Sequence, residues 1–572
     1  MKKILIPILL FLSFFCLHIS AQKSVNYSKD SGFTSCSADN STLDNLEVLC
    51  RVWGFVKYHH PVFAGSAINI DNELFSLLSL VANATPVRRN EILKKWIDRL
   101  GNFRIDKQFY RQMLDTLDYE TSVDLTWIKN KKVLGKDLSR TLDNLHYAKR
   151  GENSYLQNKP LYGQILTFIN EKNHLDGLTG WYPDCGYRLL AFFRYWNFIE
   201  YFYPYKSLTD TPWDKVLSTY LPKVINSEGI VFQNLIYKAK TELCDTHAFS
   251  LDPNLNVLTG RYAIPADTRF IEGKLIVVSS DRYTQPEIRC FKTGDEILTI
   301  NGLSIDSLKH IIKANAALSN EASLQNRLRI CCWHTNQDTT KVTFCREGTV
   351  QDTLIVAQTP TMDLMKKMQQ LIFDMPSDYF ITDSIGYVFA GSFQNKCLDN
   401  VMDRYTHTKG LVIDLREYPR EPIMFMVYKL TNKFRPYMEV SRPCYLLPGY
   451  FYRKKFKEGK EDPSQNYYKG KVVVLVNENT MSQGETTVMA FQSIPGVTVI
   501  GSPTAGTNGD MRFLPLTGHF MTYLSGYGIY YPDGGQTQRV GVRIDEIVEP
   551  TIEGIKAGRD EVLERAIEII NN

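Results

Sequence analysis

Two unbroken apolar runs place the strongest constraint on how this chain can fold. They read GLVIDLR at 410–416 and KVVVLVN at 471–477. Strands of a parallel sheet are covered on both faces and are apolar along their length, whereas a strand with one wet face alternates. A helix-forming segment at 482–492 and another short apolar run at 497–501 follow the second run. The sequence therefore predicts an α/β core with a mixed sheet over 361–572.

The amino-terminal part carries an internal repeat. WGFVKYHHP at 53–61 returns as WNFIEYFYP at 196–204. Both copies space apolar residues as on a helix and end at a proline, which stops a helix. We expect two related helical hairpins, one in a helical region at 22–165 and one in a helical segment at 166–254 that leads into the core. The pattern favours an aromatic helical core over a substrate-gating or docking element.

Residues 255–360 alternate short β-rich runs with turn signals. GDEILTINGLSI at 294–305 predicts two strands around the turn dipeptide Asn301-Gly302. A helix is expected over 308–317, and strands at RLRICCW, at KVTFC and at TLIVAQ. The spelling GDEILTING resembles that of PDZ domains, and the resemblance implies a small β-barrel that binds extended peptides by strand addition. The expected fold class is multidomain α+β, with a PDZ-like β-barrel between the helical region and the core.

The first 21 residues are typical of an export signal. Lys2 and Lys3 precede an apolar run, and the small residues Ser20 and Ala21 follow it. A lipoprotein signal that uses Cys16 is disfavoured, and the apolar run is short for an uncleaved anchor. No later segment has about 18 unbroken apolar residues. We therefore predict a periplasmic or extracellular protein without an integral membrane span after signal removal.

Charge and cysteine usage exclude several functional classes. The formal net charge is only +4 and no basic stripe dominates, so nucleic acid is not the expected partner. The chain contains no C-x-x-C pair, which argues against a zinc ribbon or a thioredoxin motif. No metal and no organic cofactor is expected, and the oligomeric state is left open.

Ser482 is the first candidate for chemistry, because it follows a predicted buried strand and begins a helix. Unpaired amides at a helix start can stabilise an oxyanion while the serine attacks a carbonyl. Position alone favours a helix cap, since Ser482 and Glu485 spell a capping box. However, three segments resemble motifs of the carboxyl-terminal processing (tail-specific) peptidases. In chain order, which is also the family's order, they are DLREYPRE, VVVLVNENTMSQGE and GSPTAGTNG. The resemblance covers about 255–570 and implies that Ser482 is the nucleophile and Glu485 the family glutamate.

The general base departs from the usual family pattern. The position of the family lysine is Thr507, and no lysine lies between Lys471 and Lys556. The sequence is closer to the tricorn-core branch, which uses a histidine. That resemblance implies that His247 is the base and that the hydroxyl of Thr246 orients its ring. His407 and His519 are the reserve candidates.

The supporting groups are less complete. Gln536 and Gln538 stand where the tricorn branch has an acid, and a glutamine cannot offset an imidazolium charge. Glu485 is a further candidate for support. Pro419 has no N–H, so we expect the oxyanion donors to be the backbone amides of Gln483 and Arg420.

Three functions remain open from the sequence. The leading one is an exported serine endopeptidase that acts on polypeptides through Ser482 and His247. The alternative is a catalytically weak or inactive peptidase-like protein that binds peptide ends through its PDZ-like domain. A carrier of small apolar ligands is the third, although no specific feature calls for it.

Overall fold

The computed structural model describes most of the chain. The described residues are 27, 30–116, 118–159, 165–167, 170–171, 184–248, 260–279, 290–356, 360–433, 435–456, 467–517 and 521–572. The predicted export signal at 1–21 and the reserve candidate His519 lie outside them. Within the described ranges, no helix combines the length and the apolarity that a membrane crossing requires.

The amino-terminal region is mainly helical. Its elements are α1 (Asn40–His59), α2 (Ile70–Val81), α3 (Pro86–Arg99), α4 (Lys107–Asp115), β1 (Tyr119–Thr121), α5 (Lys131–His146), β2 (Gln157–Lys159), β3 (Ile165–Thr167), α6 (Cys185–Phe202), α7 (Trp213–Ile225) and α8 (Gly229–Thr241). Helices α6, α7 and α8 follow one another along the chain with the same spacing as α1, α2 and α3. The repeated sequence therefore extends over three helices in each copy.

The two repeat tryptophans make the same contact. Trp53 donates its indole N–H to the carbonyl of Ile70 at 2.9 Å, and Trp196 donates to the carbonyl of Trp213 at 3.0 Å. Ile70 and Trp213 begin the second helix of their respective copies. Both repeat tryptophans are buried in one apolar cluster. The repeat thus builds an aromatic helical core.

Equivalent positions of the two copies also touch each other. Tyr58 packs against Tyr201, with 5.6 Å between ring centroids. Gly54 faces Asn197, whose side chain fills the space beside the glycine. Contacts between like positions are the mark of a twofold arrangement. Helices α1 and α6 therefore cross about a local pseudo-twofold axis.

Replacing Gly54 with alanine will destabilise the protein by about 1–3 kcal/mol, the usual cost of overpacking a core. A Cβ at this position would lie 1.8 Å from Oδ1 of Asn197, so one side chain must move. Urea unfolding measures the change. Gly151→Ala is the matched control, because its new Cβ would meet no atom within 4 Å. Equal midpoints for Gly54→Ala and wild type would show that the crossing tolerates a methyl group.

The middle region contains a six-stranded antiparallel sheet, a separate antiparallel pair of short strands and two helices. Its elements are β4 (Tyr262–Ala263), β5 (Asp267–Ile271), β6 (Lys274–Ser279), β7 (Glu296–Ile300), β8 (Leu303–Ser304), α9 (Ile305–Asn315), α10 (Glu321–Cys331), β9 (His334–Thr335), β10 (Thr339–Arg346) and β11 (Thr349–Val356). The strand order of the sheet is β11-β10-β7-β6-β5, with β8 on β7, and the separate pair is β4 with β9. Among the described strands the sheet is open, with β5 and β11 at its edges, so the expected closed barrel is not found.

One local prediction in this region is confirmed and one is wrong. Strands β7 and β8 pair antiparallel around Asn301 and Gly302, which both have positive φ. RLRICCW, expected as a strand, lies mostly in helix α10. Asn320 starts that helix with a capping box, and the apolar side chains of Leu324 and Leu328 then pack in one cluster with α9. The cap and this packing outweigh the β preference of the run.

The carboxyl-terminal region forms the α/β core. Its elements are α11 (Thr361–Phe373), β12 (Asp378–Thr382), β13 (Ile385–Phe389), α12 (Leu398–Tyr405), β14 (Gly410–Asp414), α13 (Val427–Leu430), β15 (Met438–Pro443), β16 (Tyr450–Phe456), β17 (Lys471–Val476), α14 (Gln483–Gln492), β18 (Val497–Gly501), β19 (Met511–Pro515), β20 (Met521–Ser525), β21 (Gly528–Tyr530), β22 (Glu546–Ile547), α15 (Ile552–Lys556) and α16 (Glu561–Asn571).

The main sheet of the core has the order β12-β13-β14-β17-β18-β22. All neighbours are parallel except β12 and β13, which makes the sheet mixed, as predicted. The two apolar runs form the adjacent strands β14 and β17. A second sheet, β1-β16-β15-β21, joins the amino-terminal region to the core. The chain after β17, the turn after α8 and the end of β20 meet beside these sheets.

Candidate active site

Ser482 lies in a strained turn between β17 and α14. Its backbone has φ 51° and ψ −112°, and the N–H of Gly484 donates to the carbonyl of Met481 at 2.8 Å. These values describe a type II′ turn in which Ser482 holds the position that glycine usually takes. The Ser482 side chain makes no capping hydrogen bond to α14. The hydroxyl therefore does not serve as the helix cap that its position suggests. Backbone strain of this kind concentrates at functional sites.

The Ser482 hydroxyl faces a histidine. Oγ of Ser482 lies 3.1 Å from Nε2 of His247. His247 is buried in a short 3₁₀ turn, Thr246–Ala248, that follows α8. This distance is within hydrogen-bond reach of a general base and a nucleophile. The structure thus brings together two residues that are 235 positions apart in sequence.

The other ring nitrogen of His247 meets a second serine. Nδ1 of His247 lies 2.8 Å from Oγ of Ser525, which donates to Oδ1 of Asp245 at 3.1 Å. Because Ser525 donates its proton to the carboxylate, its oxygen accepts from Nδ1–H. That arrangement leaves the lone pair of Nε2 directed at Ser482, which is the tautomer a base requires.

Asp245 is the acid of this network. Its carboxylate is fully buried and also accepts hydrogen bonds from the backbone N–H groups of Ser525, at 2.8 Å, and His247, at 3.0 Å. The phenol of Tyr203 donates to it at 3.2 Å. The nearest approach between Asp245 and Nδ1 of His247 is 3.9 Å. Asp245 therefore acts on the ring chiefly through Ser525.

Burial lowers the pKa of His247 below its ordinary value of 6.5, and the carboxylates of Asp245 and Asp510 partly offset that effect. A buried imidazole loses more by carrying a charge than an exposed one does. His247 is consequently neutral at pH 7. It is ready to accept a proton.

Thr246 does not occupy the place expected for it. Its hydroxyl lies 3.1 Å from Oγ of Ser319, and its N–H donates to the same oxygen at 3.0 Å. Ser319 in turn contacts the hydroxyl of Thr507 at 2.6 Å. Side chains of successive residues in a 3₁₀ turn diverge, so Thr246 points away from the ring that His247 presents. The hydroxyl that contacts Nδ1 of His247 belongs to Ser525, and Thr246 ties the turn to the loop that carries Thr507.

Glu485 anchors the loop that contacts the backbone of Ser482. Its buried carboxylate accepts from the hydroxyl of Thr504 at 2.6 Å and from the N–H groups of Gly506 and Thr507 at 2.8 and 3.0 Å. Burial raises the pKa of Glu485 to about 7. The carbonyl of Thr507 then accepts the N–H of Ser482 at 2.8 Å. Glu485 thus fixes the loop that holds the strained turn.

Gln538 and Gln536, the two glutamines predicted to stand in place of the acid, lie in different surroundings. The side-chain amide of Gln538 lies 3.4 Å from Asp245 and from Ser319, so this residue borders the network. Gln536 lies opposite Tyr530 in an isolated bridge, and its amide nitrogen has no hydrogen-bond partner among the described residues. The reserve candidate His407 is exposed beyond the end of α12.

The two predicted oxyanion donors, the backbone N–H groups of Gln483 and Arg420, also differ in their surroundings. The N–H of Gln483 is at the start of α14, directly after Ser482. The N–H of Arg420 instead donates to the carbonyl of Ala390 at 3.0 Å, and its guanidinium lies over the ring of Phe373. Arg420 is therefore already bonded and unsuited to the role predicted for it.

A cleft of about 390 Å³ opens beside Ser482. Its wall is largely apolar and comes from the turn after β14, the β15–β16 pair and the segment before β21. The apolar and aromatic lining residues are Tyr418, Met424, Met438, Val440, Phe456, Met511, Tyr527 and Ile529. A cleft with such a wall can receive an extended apolar side chain.

The chain resembles known proteins in part of its sequence and in its fold. Residues 384–548 match the sequence model of Peptidase family S41. Comparison with curated proteins finds no sequence match. The structure of mature CPAF complexed with lactacystin is 12% identical, covers 68% of this chain and 99% of that one, and aligns with a TM-score of 0.52. The photosystem II D1 C-terminal processing protease is 17% identical, covers 66% and 98%, and aligns with a TM-score of 0.40. The chain thus shares the fold of mature CPAF over 68% of its length, and residues 384–548 have the sequence pattern of a peptidase family.

Proposed function

We propose that this chain is an exported serine endopeptidase, with Ser482 as nucleophile and His247 as general base. The observation that carries the proposal is the 3.1 Å approach of Nε2 to an Oγ that caps no helix. The family match at 384–548 supports a hydrolase that acts on polypeptides. The mechanism needs no metal and no organic cofactor.

Each group has a step in the reaction. Oγ of Ser482 attacks the scissile carbonyl while its proton passes to Nε2 of His247, and the carbonyl oxygen becomes an oxyanion beside the N–H of Gln483. The imidazolium gives that proton to the leaving amine, and an acyl-enzyme remains. Water, deprotonated by the same nitrogen, then releases the acid and restores Ser482. Asp245, through Ser525, stabilises the charge that His247 carries in both halves.

The middle region, expected to be PDZ-like, would hold or admit the end of a polypeptide. An open antiparallel sheet offers a free edge to which an extended peptide can add as a strand. The edge strands β5 and β11 are the candidates. Binding there would raise the local concentration of substrate near the cleft.

A fluorophosphonate probe tests the proposal. Wild type will form one covalent adduct, and mass spectrometry of the digested protein will place it on Ser482, because such a probe reacts with an activated serine. The Ser482→Ala and His247→Ala variants will not be labelled at this site. A folded protein that carries Ser482 but labels elsewhere, or labels equally without His247, contradicts the assignment.

The second candidate is a peptidase-like protein that binds peptide ends without turnover. The loop after Leu415 favours this candidate, because it offers no free oxyanion donor at Pro419 or Arg420. Pro419 has no N–H, and the N–H of Arg420 is bonded to the carbonyl of Ala390. Isothermal titration with an unfolded polypeptide, followed by analysis of the recovered chain, distinguishes the two functions. Binding with an intact chain supports the second candidate, and cleavage supports the first.

A further inference from the structure

On the loop after Leu415, neither Pro419 nor Arg420 offers a second backbone donor to an oxyanion beside Ser482. Gln483 supplies one N–H, but Pro419 cannot donate and the N–H of Arg420 is bonded to Ala390. An oxyanion that receives a single hydrogen bond is poorly stabilised, since each donor is worth about 10²- to 10³-fold in rate. The further inference rests on the proposed function and concerns what completes this site.

The loop after β14 is held rigidly against the nucleophile turn. The hydroxyl of Thr480 donates to the carbonyl of Leu415 at 2.8 Å, and the amide of Asn479 donates to the carbonyl of Arg416 at 3.2 Å. The guanidinium of Arg416 pairs with Asp560 at 2.7 Å. The backbone of this loop is therefore held in place relative to Ser482, and a side chain on it reaches the nucleophile from a fixed starting point.

Tyr418 projects from that loop to the nucleophile. Burial raises the pKa of its phenol, and hydrogen bonding from the side chain of Ser482 and from the backbone N–H of Gln483 lowers it, so these two groups are its neighbours. The ring lines the cleft together with both residues and is 48% exposed, so it borders open space. The next residue, Pro419, lies against the first turn of α14, where its Cδ is 3.7 Å from the position of a Cβ on Gly484.

We infer that the phenol of Tyr418 is the second oxyanion donor. In the resting protein its oxygen lies beside the N–H of Gln483, where the substrate oxyanion forms during attack. When a carbonyl enters, the half-exposed side chain can withdraw toward the cleft, and its O–H then donates to the oxyanion together with the N–H of Gln483. No proton leaves the phenol.

The protonation state of Tyr418 suits this role. Burial raises the pKa of the phenol above its ordinary value of 10. The phenol therefore keeps its proton at neutral pH, where His247 is neutral. A phenol is also a stronger hydrogen-bond donor than water, which would otherwise fill the site.

Tyr418→Phe tests the inference, because it removes the hydroxyl and keeps the ring. We expect the rate of fluorophosphonate labelling at Ser482, and kcat for an unfolded fluorescent casein, to fall by about 10²- to 10³-fold. KM will change little, and the midpoint of the acid limb will stay where it is in wild type, since the base is untouched. Tyr379→Phe is the matched control, because Tyr379 is an exposed tyrosine on β12; it will label at the wild-type rate.

Three other outcomes overturn the inference. Equal rates for Tyr418→Phe and wild type show that the hydroxyl is not used. Faster labelling of Tyr418→Phe shows that the phenol blocks the site instead of serving it. A wild-type protein that neither labels nor cleaves contradicts both this role and the proposed function, whereas an active wild type with an unaffected Tyr418→Phe leaves the proposed function standing.

Discussion

Replacing Ser482 with alanine will lower kcat for an unfolded polypeptide by about 10⁴- to 10⁶-fold, the loss expected when the nucleophile of a serine–histidine pair is removed. The same variant will keep its free energy of unfolding within about 0.5 kcal/mol of wild type, because the hydroxyl of Ser482 does not cap α14. Steady-state cleavage and urea unfolding measure the two effects. Together they separate a nucleophile from a cap.

Ser482→Gly sharpens that comparison. Glycine adopts φ 51° without steric cost, so relief of strain will raise the free energy of unfolding by about 1 kcal/mol while activity stays abolished. A more stable Ser482→Gly variant shows that the native serine is kept in this turn at a cost to stability. The assignment fails if Ser482→Ala cleaves at the wild-type rate, and the capping interpretation returns if Ser482→Ala loses about 1 kcal/mol.

The α/β core was predictable because its central strands have a recognisable local sequence pattern. A parallel strand covered on both faces needs an unbroken apolar run, and β14 and β17 have one each. The repeat was visible for a similar reason, since two copies of one helical pattern keep their aromatic spacing. Closure of a sheet leaves no such mark, because it depends on which edges meet. That is why the open sheet of the middle region differs from the expected barrel.

The sequence indicated candidate residues of the site only where they stand in an ordered set of family-like motifs. Ser482 and His247 stand in such motifs, and the structure places them 3.1 Å apart. Ser525 has no local signal, because its role arises from a contact over 278 positions. The sequence pattern placed the missing acid near Gln536, far along the chain, although Asp245 lies only two residues before His247. In sequence, nothing shows that a serine on β20 will bridge them.

Asp245→Asn tests the acid. We expect kcat to fall by about 10²- to 10⁴-fold, as when the carboxylate of a serine–histidine–aspartate site is neutralised. The midpoint of the acid limb will also move to lower pH. Activity requires neutral His247, so that limb reports its pKa, which burial already places below 6.5. The Asp245 carboxylate raises this pKa, and its removal therefore lowers the midpoint further.

Ser525→Ala separates charge from geometry at the same site. It removes the hydroxyl that accepts from Nδ1–H but leaves the carboxylate 3.9 Å from that nitrogen. Its kcat will fall because the tautomer of His247 is no longer fixed, while its acid limb will move less than that of Asp245→Asn. Asp533→Asn, which alters an exposed ion pair with Arg543, is the control and will change neither quantity. An unmoved acid limb in Asp245→Asn would contradict an electrostatic role, and the carboxylate would then act only by holding Ser525 and the turn of His247 in place.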